Sequence, residues 1–322
     1  VTTATLAPRP ATRGGLRPRG LGWLIWRQNR ITLAVLTVGC AALIAYLLHE
    51  RSALDTVVAR MNALHCDPDN LSSTACAQAD SARYGIAESW HQAVSATLLL
   101  PGIFGAVLAA QPLATDFERR RHLMLWSQSV SPRSWFTYRM ALPGAALLVL
   151  STVLSVVVRW GGFWSHPGFG LSSWESPEDF FAVVPVFPAL VLATFALGAL
   201  VGLLLHRPIP ALGVTVVLYV ALVWALDKLR PHLMPTFSMV GGTNATGMPG
   251  NAWVVDDGIV LNGRWVGYGQ CPGRDCSNAQ WWMRYHTVAQ FSPMLWIMTG
   301  ILAVLTVLLV LASYRRLRAL TR

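Results

Sequence analysis

Ser292 to Tyr314 reads SPMLWIMTGILAVLTVLLVLASY, and Arg315, Arg316 and Arg318 follow at once. An uncharged run of this length makes a helix of about 35 Å, enough to cross a hydrocarbon layer of roughly 30 Å. Arginines at its end are the flank that holds such a helix at the headgroups. Five earlier stretches have the same character: Ile31–Leu48, Ala93–Leu113, Tyr138–Val158, Phe180–Leu205 and Ile209–Leu226. No interior of the six carries Asp, Glu, Lys or Arg, and each such residue at mid-membrane would cost about 2.5–3.5 kcal/mol. Pro101, Pro143, Pro185 and Pro188 lie within these runs, which membrane helices tolerate when neighbours satisfy the freed carbonyls. The expected fold is an all-α integral membrane domain of six transmembrane helices over 21–314, with tails at 1–20 and 315–322.

Composition agrees. The chain is 54% hydrophobic and 12% charged, against about 25% charged in soluble domains. Its net charge of +10 raises nucleic acid as a partner, but the distribution of charge excludes that reading. The N-terminus, residues 114–137 with Arg139, the turn at 206–208 and the C-terminus hold 16 basic residues and two acids. The opposite side, 49–92, 159–179 and 227–291, holds nine basic residues and 13 acids. Basic loops face the cytoplasm, so both termini are expected there and the long 227–291 loop outside, in a multi-pass protein of the cell membrane. The 14 tryptophans sit near span ends or in loops, as an aromatic belt requires.

Residues 1–20, rich in Pro, Gly and Arg, offer little to bury and read as a disordered cytoplasmic tail. The apolar run that follows is too long for a secretory h-region. Leu21–Arg30 (LGWLIWRQNR) places Trp23 and Trp26 beside Arg27 and Arg30. That pattern fits a short interfacial helix, or simply the flank of the first span.

Four of the five cysteines form two close pairs on the outer side, Cys66 with Cys76 and Cys271 with Cys276. Thiols oxidise outside the cytoplasm, so two local disulfides are expected. His65 and His286 keep a metal site open as the rival reading, although zinc spacing is usually tighter and needs more ligands. Cys40 lies within the first span as a packing residue. Trp253, Trp265, Trp281 and Trp282 mark 227–291 as an ordered outer cap. Asn70-Leu-Ser72 and Asn244-Ala-Thr246 are sequons by coincidence of composition.

Catalytic constellations are absent from the sequence. It has no G-x4-GK[ST] phosphate loop, no H-E-x-x-H and no G-x-S-x-G. Nor do the spans hold the carboxylates or histidines that ion-driven carriers place at depth. The informative segment is QPLATDFERRRHLMLWSQSV, Gln111 to Val130. Thr115 and Glu118 have capping-box spacing, and Asp116 and Glu118 suit a helix start. Arg119, Arg120 and Arg121 follow, then Leu123, Met124, Leu125 and Trp126. This predicts a short helix just inside the membrane, serving as an anchor on anionic headgroups or as a docking helix for a cytoplasmic partner.

This stretch, continued to Trp135 and with WLIWRQNR upstream, resembles the permease subunits of bacterial ABC-2 type exporters, particularly short actinobacterial ones. Pro112, Leu113, Phe117, Glu118, His122, Trp126, Gln128, Ser129 and Val130 carry the match, while Arg119 and Arg120 depart from the Gly-Thr-like turn usual there. The resemblance implies an interfacial elbow helix, six spans, a coupling helix after span two and a long outer loop before span six. It implies that Asp116, Phe117, Glu118, Arg119, Arg120, Arg121 and His122 engage a separate ATPase subunit. ATP and magnesium would belong to that partner, with no cofactor in this chain, and two permeases would work with two ATPases. Spans two and five would line a cavity through Ser95, Thr97, Gly102, Gly105, Thr215 and Tyr219, all uncharged, which suits a lipophilic or amphipathic cargo. The competing readings are a membrane scaffold or sensor acting through its basic loop on lipid or a partner, and an intramembrane enzyme, for which paired polar residues are missing.

Overall fold

The computed structural model describes residues 21–66, 73–120, 131–163, 171, 173–241, 252–261, 264–267 and 280–320. Six of its helices are long and apolar enough to cross a membrane. Span four, Val186–Leu205, is the axis of the bundle. Of its most apolar window 67% is buried, against 17% in span one and 22% in spans five and six. Spans two, three, five and six pack around it, and span one joins through spans two and three.

Span one is a single helix, Leu21–Ala63. The separate elbow helix is therefore corrected to the opening turns of span one. No proline follows Gly22 within the helix, and two of the polar residues there find partners along it. Asn29 Nδ2 donates to the Ile25 carbonyl at 2.9 Å, and the Arg27 guanidinium lies 5.3 Å from the Trp23 ring centre. At 43 residues the helix is about 64 Å long, far longer than a bilayer core. Its excess packs against the first helix of span two, Thr74–Thr97, whose start is capped by Ser73 accepting from the Cys76 amide.

Span two is segmented. A turn at Leu98–Leu99 separates Thr74–Thr97 from Leu100–Phe104; a π-helical stretch, Gly105–Ala110, follows, then Gln111–Glu118. Prolines explain both irregularities. Pro101 opens the second segment. The wide turn lies just before Pro112, whose ring would clash with the carbonyl four residues back in a regular helix. The Gln111 amide accordingly reaches back five residues to the Ala106 carbonyl.

Span three is Pro132–Phe163 with Pro143 inside, span five Pro208–Leu229 and span six Phe291–Leu320. Span four begins later than the sequence indicates. Phe180 and Phe181 belong to a short helix, Pro177–Ala182, capped by Ser176, and a turn with a cis Val184–Pro185 bond intervenes.

The all-α expectation is corrected between spans five and six. Strands β1 (Phe237–Gly241), β2 (Trp253–Leu261), β3 (Arg264–Gly267) and β4 (Gln280–His286) form an antiparallel sheet in the order β1-β4-β2-β3. Their β-branched and aromatic content suits a pleated surface. Arg230 fastens the sheet to the bundle. It is 3% exposed, stacks between Trp253 at 4.2 Å and Phe180 at 5.3 Å, and donates to the Glu175 carbonyl. His286 forms a second fastening, with Nδ1 3.0 Å from Gln290 Oε1 and Nε2 3.1 Å from the Pro231 carbonyl.

Candidate functional site

The end of the bundle opposite the sheet gathers the functional residues that can be described. Thr115 does not cap a helix start. Its hydroxyl donates to the Gln111 carbonyl at 2.8 Å, one turn back within the same helix, and Glu118 is the last helical residue. The expected helix beginning at Thr115 is thus corrected to the closing turn of span two. Arg120, with φ of 53°, turns the chain out. Arg121 and His122, with the remainder of the expected docking helix to Val130, lie outside the described residues.

At a helix C-terminus the macrodipole disfavours a carboxylate, and Asp116 is held there by a cation on the next span. Its Oδ2 is 3.1 Å from Arg139 Nη2, with side chains 11% and 7% exposed respectively. Arg139 Nη1 donates to Gln28 Oε1 on span one at 2.5 Å. One guanidinium therefore joins spans one, two and three. Beside it lies a polar recess of about 330 Å³ bounded by Asn29, Thr32, Gln111 and Thr115. The next residue, Phe117, is also turned inward. It stacks on His206 at 5.0 Å and meets Trp135 edge-on at 6.3 Å. His206 is the left-handed residue, φ 53°, between spans four and five. Span six joins through Tyr314, whose hydroxyl is 2.8 Å from that of Thr137.

Of the residues expected to face a partner, Asp116 and Phe117 are therefore buried, and Glu118, Arg119 and Arg120 are exposed. Gln28, Trp135, Arg139 and His206 are members that sequence reasoning missed. A buried Asp116 demands a cation, and Arg139 is the one that the helical layout places opposite it.

The six residues expected to line a cavity lie at or near a close contact among spans two, four and five. A Cβ on Gly102 would stand 2.6 Å from Tyr219 Cδ1, and one on Gly105 2.5 Å from the Thr194 carbonyl oxygen. Gly198 is tighter still, 2.1 Å from the Gly105 oxygen. Such backbone approach is what small residues provide between membrane helices. The Thr97 and Thr215 hydroxyls bond their own helices, at Val94 and Ala211. Tyr219 donates its hydroxyl to the Leu98 carbonyl at the turn in span two. Ser95 is half-buried one turn above that junction.

Cys66 and Cys76 are joined, with Cα atoms 5.6 Å apart. Cys40 is free and buried. Cys271 and Cys276 lie outside the described residues. Among the described residues no three His, Cys, Asp or Glu side chains group to hold a metal.

A family model described as ABC-2 membrane transporter related matches residues 37–230. Neither a curated protein nor a solved structure matches the chain. The matched region runs from span one through span five, takes in the Asp116–Arg139 pair and Phe117, and covers more than half of the sequence. The chain therefore belongs to the ABC-2 membrane transporter related family.

Proposed function

We propose that this chain is the permease subunit of an ATP-binding-cassette exporter. A separate ATPase subunit docks at the end that carries Glu118, Arg119 and Arg120 and supplies the ATP and magnesium chemistry. The observation that carries this reading is the junction built on Asp116, Phe117, Arg139 and His206. It ties the ends of spans one to five to the root of the segment between Glu118 and Ser131. A force applied to that segment reaches several spans together instead of bending one, which is what coupling to an external motor requires. The exposed Glu118, Arg119 and Arg120 are the contacts assigned to the partner, and Asp116 and Phe117 transmit from within.

Orientation follows from the charge asymmetry. The basic end, with both termini, is cytoplasmic, and the sheet lies outside. A lipophilic or amphipathic cargo fits the uncharged spans. Two copies of the permease would enclose its route, because within one chain Gly102, Gly105 and Tyr219 are in contact with neighbouring helices.

The test is co-expression with candidate ABC ATPase subunits from the same genome, followed by Glu118→Ala and Arg119→Ala/Arg120→Ala. These exposed changes are expected to lower permease-stimulated ATP hydrolysis at least fivefold while folded yield stays at the wild-type level. Unchanged hydrolysis in both variants overturns the docking assignment. Failure of wild-type protein to bind the ATPase would favour the scaffold reading.

A further inference from the structure

Spans three, four and six enclose a lateral groove of about 340 Å³ between the junction and the middle of the bundle. Its floor is made of small residues, Ala196 and Ala199 of span four and Gly144 of span three. A Cβ on Gly144 would find only ordinary contact, 3.5 Å from the Phe195 ring. Along span three the groove runs from Phe136 to Leu148 and along span six from Thr306 to Tyr314. At 1.5 Å per residue these stretches are about 18 and 12 Å, close to half of a roughly 30 Å hydrocarbon layer.

The hydroxyls that line it are already satisfied. Thr306 bonds the Leu302 carbonyl, Ser313 the Leu309 carbonyl, and Thr137 both the Arg133 carbonyl and Tyr314. The walls therefore offer an occupant nothing but apolar contact. The rim differs. Arg133, exposed, lies one turn before Thr137, and Arg316 and Arg318 lie in the turn after Tyr314. Arg316 keeps a buried Nε–H that finds no acceptor among the described residues. Described carboxylates at this end are Asp116, held by Arg139, and Glu118, both on span two.

We propose that this groove is a specific site for an anionic phospholipid, with one acyl chain along Ala145 and Ala199 and the phosphate against Arg133 and Arg316. Length selects a chain confined to one leaflet, the satisfied walls select hydrocarbon, and the arginine rim selects the negative headgroup. The site is separate from the Asp116–Arg139 junction and does not rest on the exporter reading.

The experiment is native mass spectrometry of the full chain in detergent with equal amounts of dioleoyl phosphatidylglycerol and dioleoyl phosphatidylcholine. Wild type is expected to retain one phosphatidylglycerol in preference by at least about fivefold, the factor for one arginine acting on an anionic lipid. Ala145→Phe fills the groove from an exposed position and is expected to lower retention of both lipids about tenfold; Ala145→Leu replaces it if that variant does not purify. Arg133→Gln/Arg316→Gln is expected to keep the bound lipid and lose most of the preference. Equal retention of the two lipids by wild type, or undiminished retention in the groove-filling variant, overturns the proposal. A preference that persists in Arg133→Gln/Arg316→Gln overturns the assignment of the headgroup.

Discussion

Removing one partner of the Asp116–Arg139 pair tests whether the junction holds the ends of the spans together. Both side chains are about nine-tenths buried and their charged atoms are 3.1 Å apart, so neither is well solvated if left alone. Breaking such a pair costs about 3–5 kcal/mol, chiefly from the stranded charge. Asp116→Leu takes from Arg139 the carboxylate 3.1 Å away while its bond to Gln28 stays, and is expected near 3 kcal/mol. Arg139→Met leaves Asp116 at a helix C-terminus, where the dipole adds to the penalty, and is expected at 3–5 kcal/mol. The double variant removes both charges together and replaces a buried pair with packed hydrocarbon, which is often neutral; it is expected within about 1.5 kcal/mol of wild type. The assay is unfolding in mixed micelles of rising dodecyl sulfate fraction, followed by tryptophan fluorescence. A coupling energy below about 0.5 kcal/mol is the additivity of independent sites and would refute the junction. So would single variants as stable as wild type.

Other consequences are simpler to read. Gly198→Ala puts a methyl 2.1 Å from the Gly105 oxygen and must push spans two and four apart; a loss of about 1–3 kcal/mol is expected in the same assay, and wild-type stability would contradict the contact. Tyr219→Phe keeps the ring on Gly102 but frees the Leu98 carbonyl, so a loss of about 1 kcal/mol is expected; no change would remove that bond from the account of the span-two turn. Without reductant, peptide mapping is expected to recover Cys66 joined to Cys76, and Cys66→Ala/Cys76→Ala to lower stability by about 2–3 kcal/mol for so short a loop. Free thiols at both positions would refute the link. A fluorescent protein fused after Leu320 is expected to fluoresce in cells and alkaline phosphatase at the same site to stay inactive; the reverse would invert the orientation.

The six crossings were legible because charge-free runs such as Ser292–Tyr314 have no other economical fate in water or lipid. Their ends were not. Phe180 and Phe181 continue the apolar run of span four, yet Pro177, Pro185 and the Ser176 cap divide it, and hydrophobicity carries no record of that division. Thr115 and Glu118 have the spacing of a helix start, but Leu113, Ala114 and Phe117 remain buried beside them, so packing carries the helix through and the local signal loses. The sheet was missed because its longer strands, WVVDDGIVL and QWWMRYH, do not alternate apolar with polar residues, and the stretches between strands are rich in Gly, Asn and Pro. Asp116 was visible as a residue but not as a buried one. Its partner is 23 positions away, and only the hairpin of spans two and three brings them together.

Span one outruns the bilayer, and the disulfide sits where its surplus length turns back towards span two. The bond closes a covalent ring that contains the whole connection between these two helices. A protease that severs the backbone anywhere between Cys66 and Cys76 therefore separates nothing: the fragments stay tethered through the sulfur bridge, and only a reductant releases them. If the proposed orientation holds and this connection meets proteases outside the cell, such a nick would be survivable.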